Sequence, residues 1–77
     1  MTAPKLDWPE RVKRCLKAEL KRKDVGYAEL AKRLKEHGME ETEASVTNKI
    51  SRGTFTAMFF VASLQAIGCE TVHVGHI

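Results

Sequence analysis

Apolar residues recur at helical spacing in four stretches of this chain, and the breaks between them carry the residues that end one helix and start the next. In the first stretch Trp8, Val12, Cys15, Leu16 and Leu20 fall on one side of a helical wheel, with Lys13, Arg14, Lys17 and Lys21 opposite. Asp7 is placed to cap this helix, with Glu10 at the third helical position and Pro9 in the first turn, where a missing N–H costs little. Glu19 falls beside Val12 and Trp8, and a carboxylate on an apolar side calls for a partner, expected to be an Arg or Lys of another helix. Lys21-Arg22-Lys23-Asp24 closes the helix with cations at its negative end. In the second stretch Leu30, Ala31 and Leu34 face inward. Gly26 is the N-cap, Glu29 holds the third position, Val25 and Leu30 form a hydrophobic staple, and Gly38 is the stop, with His37 beside it as a helix-end cation partner.

Thr42 caps a third helix in which Val46 and Ile50, one turn apart, face the core and Gly53 supplies the stop. Asn48 points away from that pair, flanked by Ala44, Ser45, Ser51 and Arg52, with Thr47 and Lys49 on the shoulders. Residues 54–69 carry no charge. Thr56 caps a fourth helix there, Phe55 and Phe60 repeat the staple, and Met58, Phe59, Phe60, Val61, Leu64 and Ile67 surround most of the wheel up to Gly68. Residues 70–74 then alternate with β-branched positions, which predicts one short strand without a partner in its own chain. The expected fold is mainly α: a single domain over 1–77 of four helices and one C-terminal β-strand, with 1–6 a loose arm and 70–77 strand or tail. Val46, Ile50, Phe59, Phe60 and Leu64 are expected to share one core with Trp8, Leu16, Leu30 and Leu34.

Seventy-seven residues with 43% hydrophobic content suit one small domain near the lower limit for a self-sufficient core. No apolar run approaches a membrane span and the chain start has no signal-peptide pattern, so a cytoplasmic protein without a membrane partner is expected. Cys15 and Cys69 are too few for a disulfide framework and read as small apolar packing. The net charge of +3 is unevenly spread: residues 1–37 carry eleven Lys/Arg against six Asp/Glu, and residues 38–77 two against four. A basic first half is compatible with a polyanion partner.

The exposed arc of the third helix has the right chemistry for DNA. Small residues allow close approach, Asn pairs with adenine, and Arg pairs with guanine or phosphate. The ordinary alternative is a solvated surface helix. Glu40, Glu41 and Glu43, which suit the positive end of that helix, oppose the DNA reading because outward carboxylates repel phosphate. No nucleophile–base spacing or phosphate-cradling Gly loop is present, so an enzyme, a cofactor and a small-molecule substrate are not expected. Cys69, His73 and His76 form a C-x3-H-x2-H tail, but three ligands on an alternating extended end make a poor metal site, and no metal is expected.

Val25-Gly26-Tyr27-Ala28-Glu29-Leu30-Ala31, a turn, and Ile50-Ser51-Arg52-Gly53 resemble the lambda-repressor-like (Xre-type) helix-turn-helix. Over roughly residues 16–68 the chain more closely resembles a short bacterial domain of unknown function, through Tyr27 to Ala31, the Glu-Glu-Thr-Glu-Ala stretch at 40–44, Asn48-Lys49-Ile50-Ser51-Arg52-Gly53 and Ala66-Ile67-Gly68. The repressor resemblance implies a scaffold helix followed by a recognition helix. Tyr27 falls where those repressors often place a phosphate-contacting Gln, and Ser45, Thr47, Asn48 and Lys49 fall in the base-reading part. Two departures are visible: the stretch from Gly38 to Gly53 is longer and acidic, and Ser51 replaces the usual Glu before Arg-Gly.

The expected function is a DNA-binding helix-turn-helix module, a small dimeric transcriptional regulator. Tyr27, Ser45, Thr47, Asn48, Lys49 and Arg52 would contact DNA, and Lys13 and Lys17 would add phosphate contacts. A homodimer is expected because the fourth helix and the strand both leave surplus surface, with Phe59, Val72 and Val74 at the two-fold axis. The alternative is a helical protein-interaction or dimerisation module without nucleic-acid binding, favoured by the acidic turn and the small residues of the third helix.

Overall fold

The structure is a computed structural model that describes residues 7–77; the expected arm at 1–6 lies outside the described residues. Four helices follow in order: α1 (Trp8–Arg22), α2 (Tyr27–Glu36), α3 (Glu43–Arg52) and α4 (Ala57–Ala66). Their starts are where capping chemistry puts them. The side chains of Asp7, Thr42 and Thr56 accept from the backbone N–H of Glu10, Ser45 and Phe59, and Gly26 occupies the α2 cap without a side-chain bond. In α3 the capping box is completed by Ser45, whose hydroxyl accepts from the Thr42 N–H at 2.9 Å.

Three helices stop by one device. After α1, α2 and α4 a left-handed residue (Asp24, Gly38 and Gly68) turns the chain, and the next N–H (Val25, Met39 and Cys69) returns to a carbonyl inside the helix (Leu20, Leu34 and Leu64), each at 2.9 Å. The residue after each turn then packs toward the core that its helix has just left.

α1 and α2 each pack against both α3 and α4. The core between them holds Leu16, Leu20, Val25, Leu30, Ala31, Leu34, Val46, Ile50, Phe59, Leu64 and Ile67. Phe60 packs at its edge and stacks on Phe55 at 5.9 Å between ring centroids, as the staple requires. The end of α3 sits on the start of α1. A Cβ at Gly53, which has φ +67°, would lie 2.3 Å from the Pro9 carbonyl oxygen. Only glycine satisfies both conditions.

Three expectations are corrected. Trp8 is 63% exposed rather than in the core, because the packed side of α1 is that of Pro9, Leu16 and Leu20 and Trp8 points about 100° away from it, under the Arg11 guanidinium, 4.0 Å from the ring centroid. Glu19 pairs with Arg22 of its own helix, not with a cation from another. The C-terminal strand does not form: among the described residues there are no strands, and Val74–His76 makes a 3-10 turn, since an extended segment without a neighbouring strand has no ladder to join.

Two predictions come from this packing. Gly53→Ala should cost about 2–5 kcal/mol, combining left-handed strain with overpacking against backbone. Gly38→Ala, at φ +84° with open space around the added methyl, should cost only about 1–2 kcal/mol; urea unfolding followed by circular dichroism compares them. Ser63, fully buried on α4, has a hydroxyl without a hydrogen-bond partner among the described residues. Ser63→Ala should therefore stabilise the fold by about 1 kcal/mol in the same assay.

Candidate nucleic-acid interface

The α3 residues singled out for DNA contact divide into two groups. Thr47, Asn48 and Arg52 are exposed, on the side of α3 away from Val46 and Ile50. The Thr47 hydroxyl donates to the Glu43 carbonyl at 2.8 Å, which turns its methyl outward. Ser45 and Lys49 are instead engaged by Glu41. The Ser45 hydroxyl donates to one Glu41 oxygen at 2.6 Å, and the Lys49 ammonium pairs with the other. The Glu41 side chain is only 4% exposed. Burial alone would raise its carboxyl, but hydrogen bonds from Lys49 and Ser45 and the charge of Lys49 outweigh that and hold it below the ordinary carboxylate range. Lys49 also lies 5.2 Å from the Phe59 ring centroid, its stem lying toward the core.

The acidic turn is thus not a uniform wall of charge. Glu41 folds back and is neutralised. Glu40 and Glu43 stay exposed, with Glu43 in the first turn of α3, where the helix dipole favours a carboxylate.

The basic face expected on α1 is parcelled out among its neighbours. Lys13 donates to the Ser51 carbonyl at 3.1 Å and pairs with Glu10 at 2.9 Å. That carbonyl is one of the last four of α3, which have no partner within their helix, so Lys13 caps α3 from across the interface. Lys17 and Lys21 line a shallow depression with Val25 and Tyr27, at the junction of α1 and the start of α2. Asn48, Lys49 and Arg52 line another with Thr54, Phe55 and Thr56. Lys17 beside Tyr27 and, one turn earlier on α1, Lys13 bonded to Ser51 mark a route from the start of α2, over α1, to Arg52 at the end of α3. The Lys13–Ser51 link could not be read from the sequence because it joins residues on different helices whose apposition depends on Gly53.

The residues expected at a dimer axis are placed differently from one another. Phe59 is 1% exposed, enclosed by its own chain, and so offers no surface to a partner. Val72 is half-buried and packs against the core, while Val74 is 76% exposed on the terminal turn. The apolar residues that α4 does present are Met58 and Val61, at 72% and 52% exposure. The tail residues Cys69, His73 and His76 do not converge. Cys69 turns to Glu19 and the Thr71 carbonyl while the two imidazoles stack on each other at 3.9 Å, and among the described residues no group of three or more His, Cys, Asp or Glu is placed to hold a metal. No helix among them is long and apolar enough to cross a membrane.

Because Glu41 is held ionised, its contribution to stability is full at neutral pH and is lost as the pH falls through its lowered value. Glu41→Gln should be less stable than the parent by about 1–2 kcal/mol at neutral pH. The gap should close in acid, as shown by urea unfolding at a series of pH values.

No curated protein and no solved structure matches the chain. One family model does, over residues 8–72, from the first turn of α1 to just past the end of α4. The match includes all four helices and both ends of the route from Tyr27 to Arg52. The chain belongs to the family described as Domain of unknown function (DUF6471).

Proposed function

We propose that the chain is a helix-turn-helix DNA-binding module in which α2 is the scaffold helix and α3 the reader. The observation that carries this reading is the Lys13 bond to Ser51, which joins the basic side of α1 to the exposed face of α3 in one continuous surface. Asn48 and Arg52 supply base or phosphate contacts, Lys17 and Tyr27 supply phosphate contacts, and Lys13 positions α3. Ser45 and Lys49, occupied by Glu41, contribute little while that pair is closed.

A second copy completes the reading. Met58 and Val61, one turn apart on a helix without charge, are the apolar surface on which two chains would meet, placing two copies of α3 for half-sites about 34–36 Å apart. The same exposed pair supports the other reading, a protein-interaction module that does not bind nucleic acid.

Fluorescence anisotropy with labelled duplex DNA, titrated with salt, separates the two. A DNA binder should weaken linearly on a log–log salt plot, and Lys17→Ala should flatten the slope by roughly one. Asn48→Ala with Arg52→Ala should remove sequence preference and leave the fold intact. Glu41→Gln should bind DNA more tightly by freeing Lys49. Absence of salt-sensitive binding in the parent would leave the interaction module, and sedimentation of Met58→Lys with Val61→Lys would then ask whether the partner is a second copy.

A further inference from the structure

The side of α1 facing away from α2 bears a cleft of about 630 Å³, closed on its far side by residues 71–77. Its α1 wall is Arg11, Arg14, Cys15, Ala18 and Arg22, spaced so that they share one helix face. Val72 and Ile77 add apolar surface, and His73 and His76 line the opposite side. Of its three guanidiniums, Arg22 is paired with Glu19 and Arg11 is bonded to the Ile77 backbone oxygen, which leaves Arg14 without a partner among the described residues.

Several of these donors are free. Arg14 makes no ion pair or side-chain hydrogen bond among the described residues, and neither imidazole donates or accepts one. Arg11 shows how the site handles an oxygen acceptor: its Nε and Nη2 both donate to the Ile77 backbone oxygen, at 3.1 and 2.7 Å. Gly75 helps to shape the far wall. A Cβ there would stand 3.3 Å from the His73 Cε1, close enough to move the ring by a few tenths of an ångström, and that ring stacks on His76.

We infer that this cleft is a binding site for a small phosphate ester, its phosphoryl oxygens held by Arg14 and the two imidazoles and its organic part lying against Ala18, Val72 and Ile77. Guanidinium forks match phosphate geometry, and the apolar wall gives an ester an advantage over the bare ion. The site stands apart from the α3 face and does not depend on whether α3 reads DNA.

Phenyl phosphate and inorganic phosphate are the probes, at constant ionic strength. The readouts are backbone amide shifts in NMR and the fluorescence of Trp8, the chain's single tryptophan, which lies under Arg11. Phenyl phosphate should saturate shifts in residues 11–22 and 71–77 and change the Trp8 emission, with weaker binding of inorganic phosphate. Arg14→Gln with His76→Gln should weaken phenyl phosphate about tenfold while amides of α3 stay in place. Shifts that do not saturate, that centre on Lys17 and α3, or that survive the Arg14 and His76 substitutions would overturn the assignment.

Discussion

The close approach of Gly53 to Pro9 is the constraint on which the rest of this fold depends. With no side chain at Gly53, the end of α3 can rest on the backbone at the start of α1, and a methyl group would already overlap the Pro9 carbonyl. That contact brings the unpaired carbonyls of α3 within reach of α1, and Lys13 satisfies one of them. It also places Ile50 against the core between α1 and α2, since the same turn of α3 carries Ile50 inward and Arg52 outward. A local feature of the backbone thereby decides both what is buried and which face of α3 lies open beside a lysine-bearing helix.

Much of this was legible in advance because it is local chemistry. Asp7, Thr42 and Thr56 cap the helices they were expected to cap, Gly38, Gly53 and Gly68 end three of them, and Val46, Ile50, Leu30 and Leu34 fill the core that their spacing implies. What failed was non-local. Trp8 belongs to the apolar stripe but points about 100° away from Leu16 and Leu20, and which part of a broad stripe is buried depends on where the other helices pack. Residues 70–74 have strand-like alternation, but alternation alone supplies no hydrogen-bonding neighbour, and the segment folds along the outside of α1 instead. The candidate interface was partly legible for the same reason. The outward direction of Asn48 and Arg52 follows from periodicity, whereas the capture of Ser45 and Lys49 by Glu41 depends on how the turn folds back.

That capture changes the electrostatics of α3. An acidic turn beside a helix ordinarily makes its surroundings unfavourable to a polyanion, and Glu40 and Glu43 still do so at the N-terminal end of α3. Glu41 acts differently. It is desolvated, takes up the charge of Lys49, and accepts from Ser45, so the middle of α3 is tied to the turn that precedes it. Among the described residues Arg52, near the C-terminal end of α3, has no ion pair. The cationic surface of α3 is consequently weighted toward the end that Lys13 joins to α1.

The basic first half of the chain likewise resolves into two surfaces. α1 sends Lys13, Lys17 and Lys21 toward α3 and the start of α2, and Arg11, Arg14 and Arg22 toward the C-terminal segment. The division follows residue type as well as direction. The lysines are flexible point charges, spread along a shallow surface. The arginines carry planar forks and line a half-open cleft, a geometry suited to directed hydrogen bonds. A single count of positive charge would assign both sets to one polyanion. The geometry of one helix instead puts them on different faces, and a ligand of the arginine face could occupy its cleft without displacing anything bound along the lysine face.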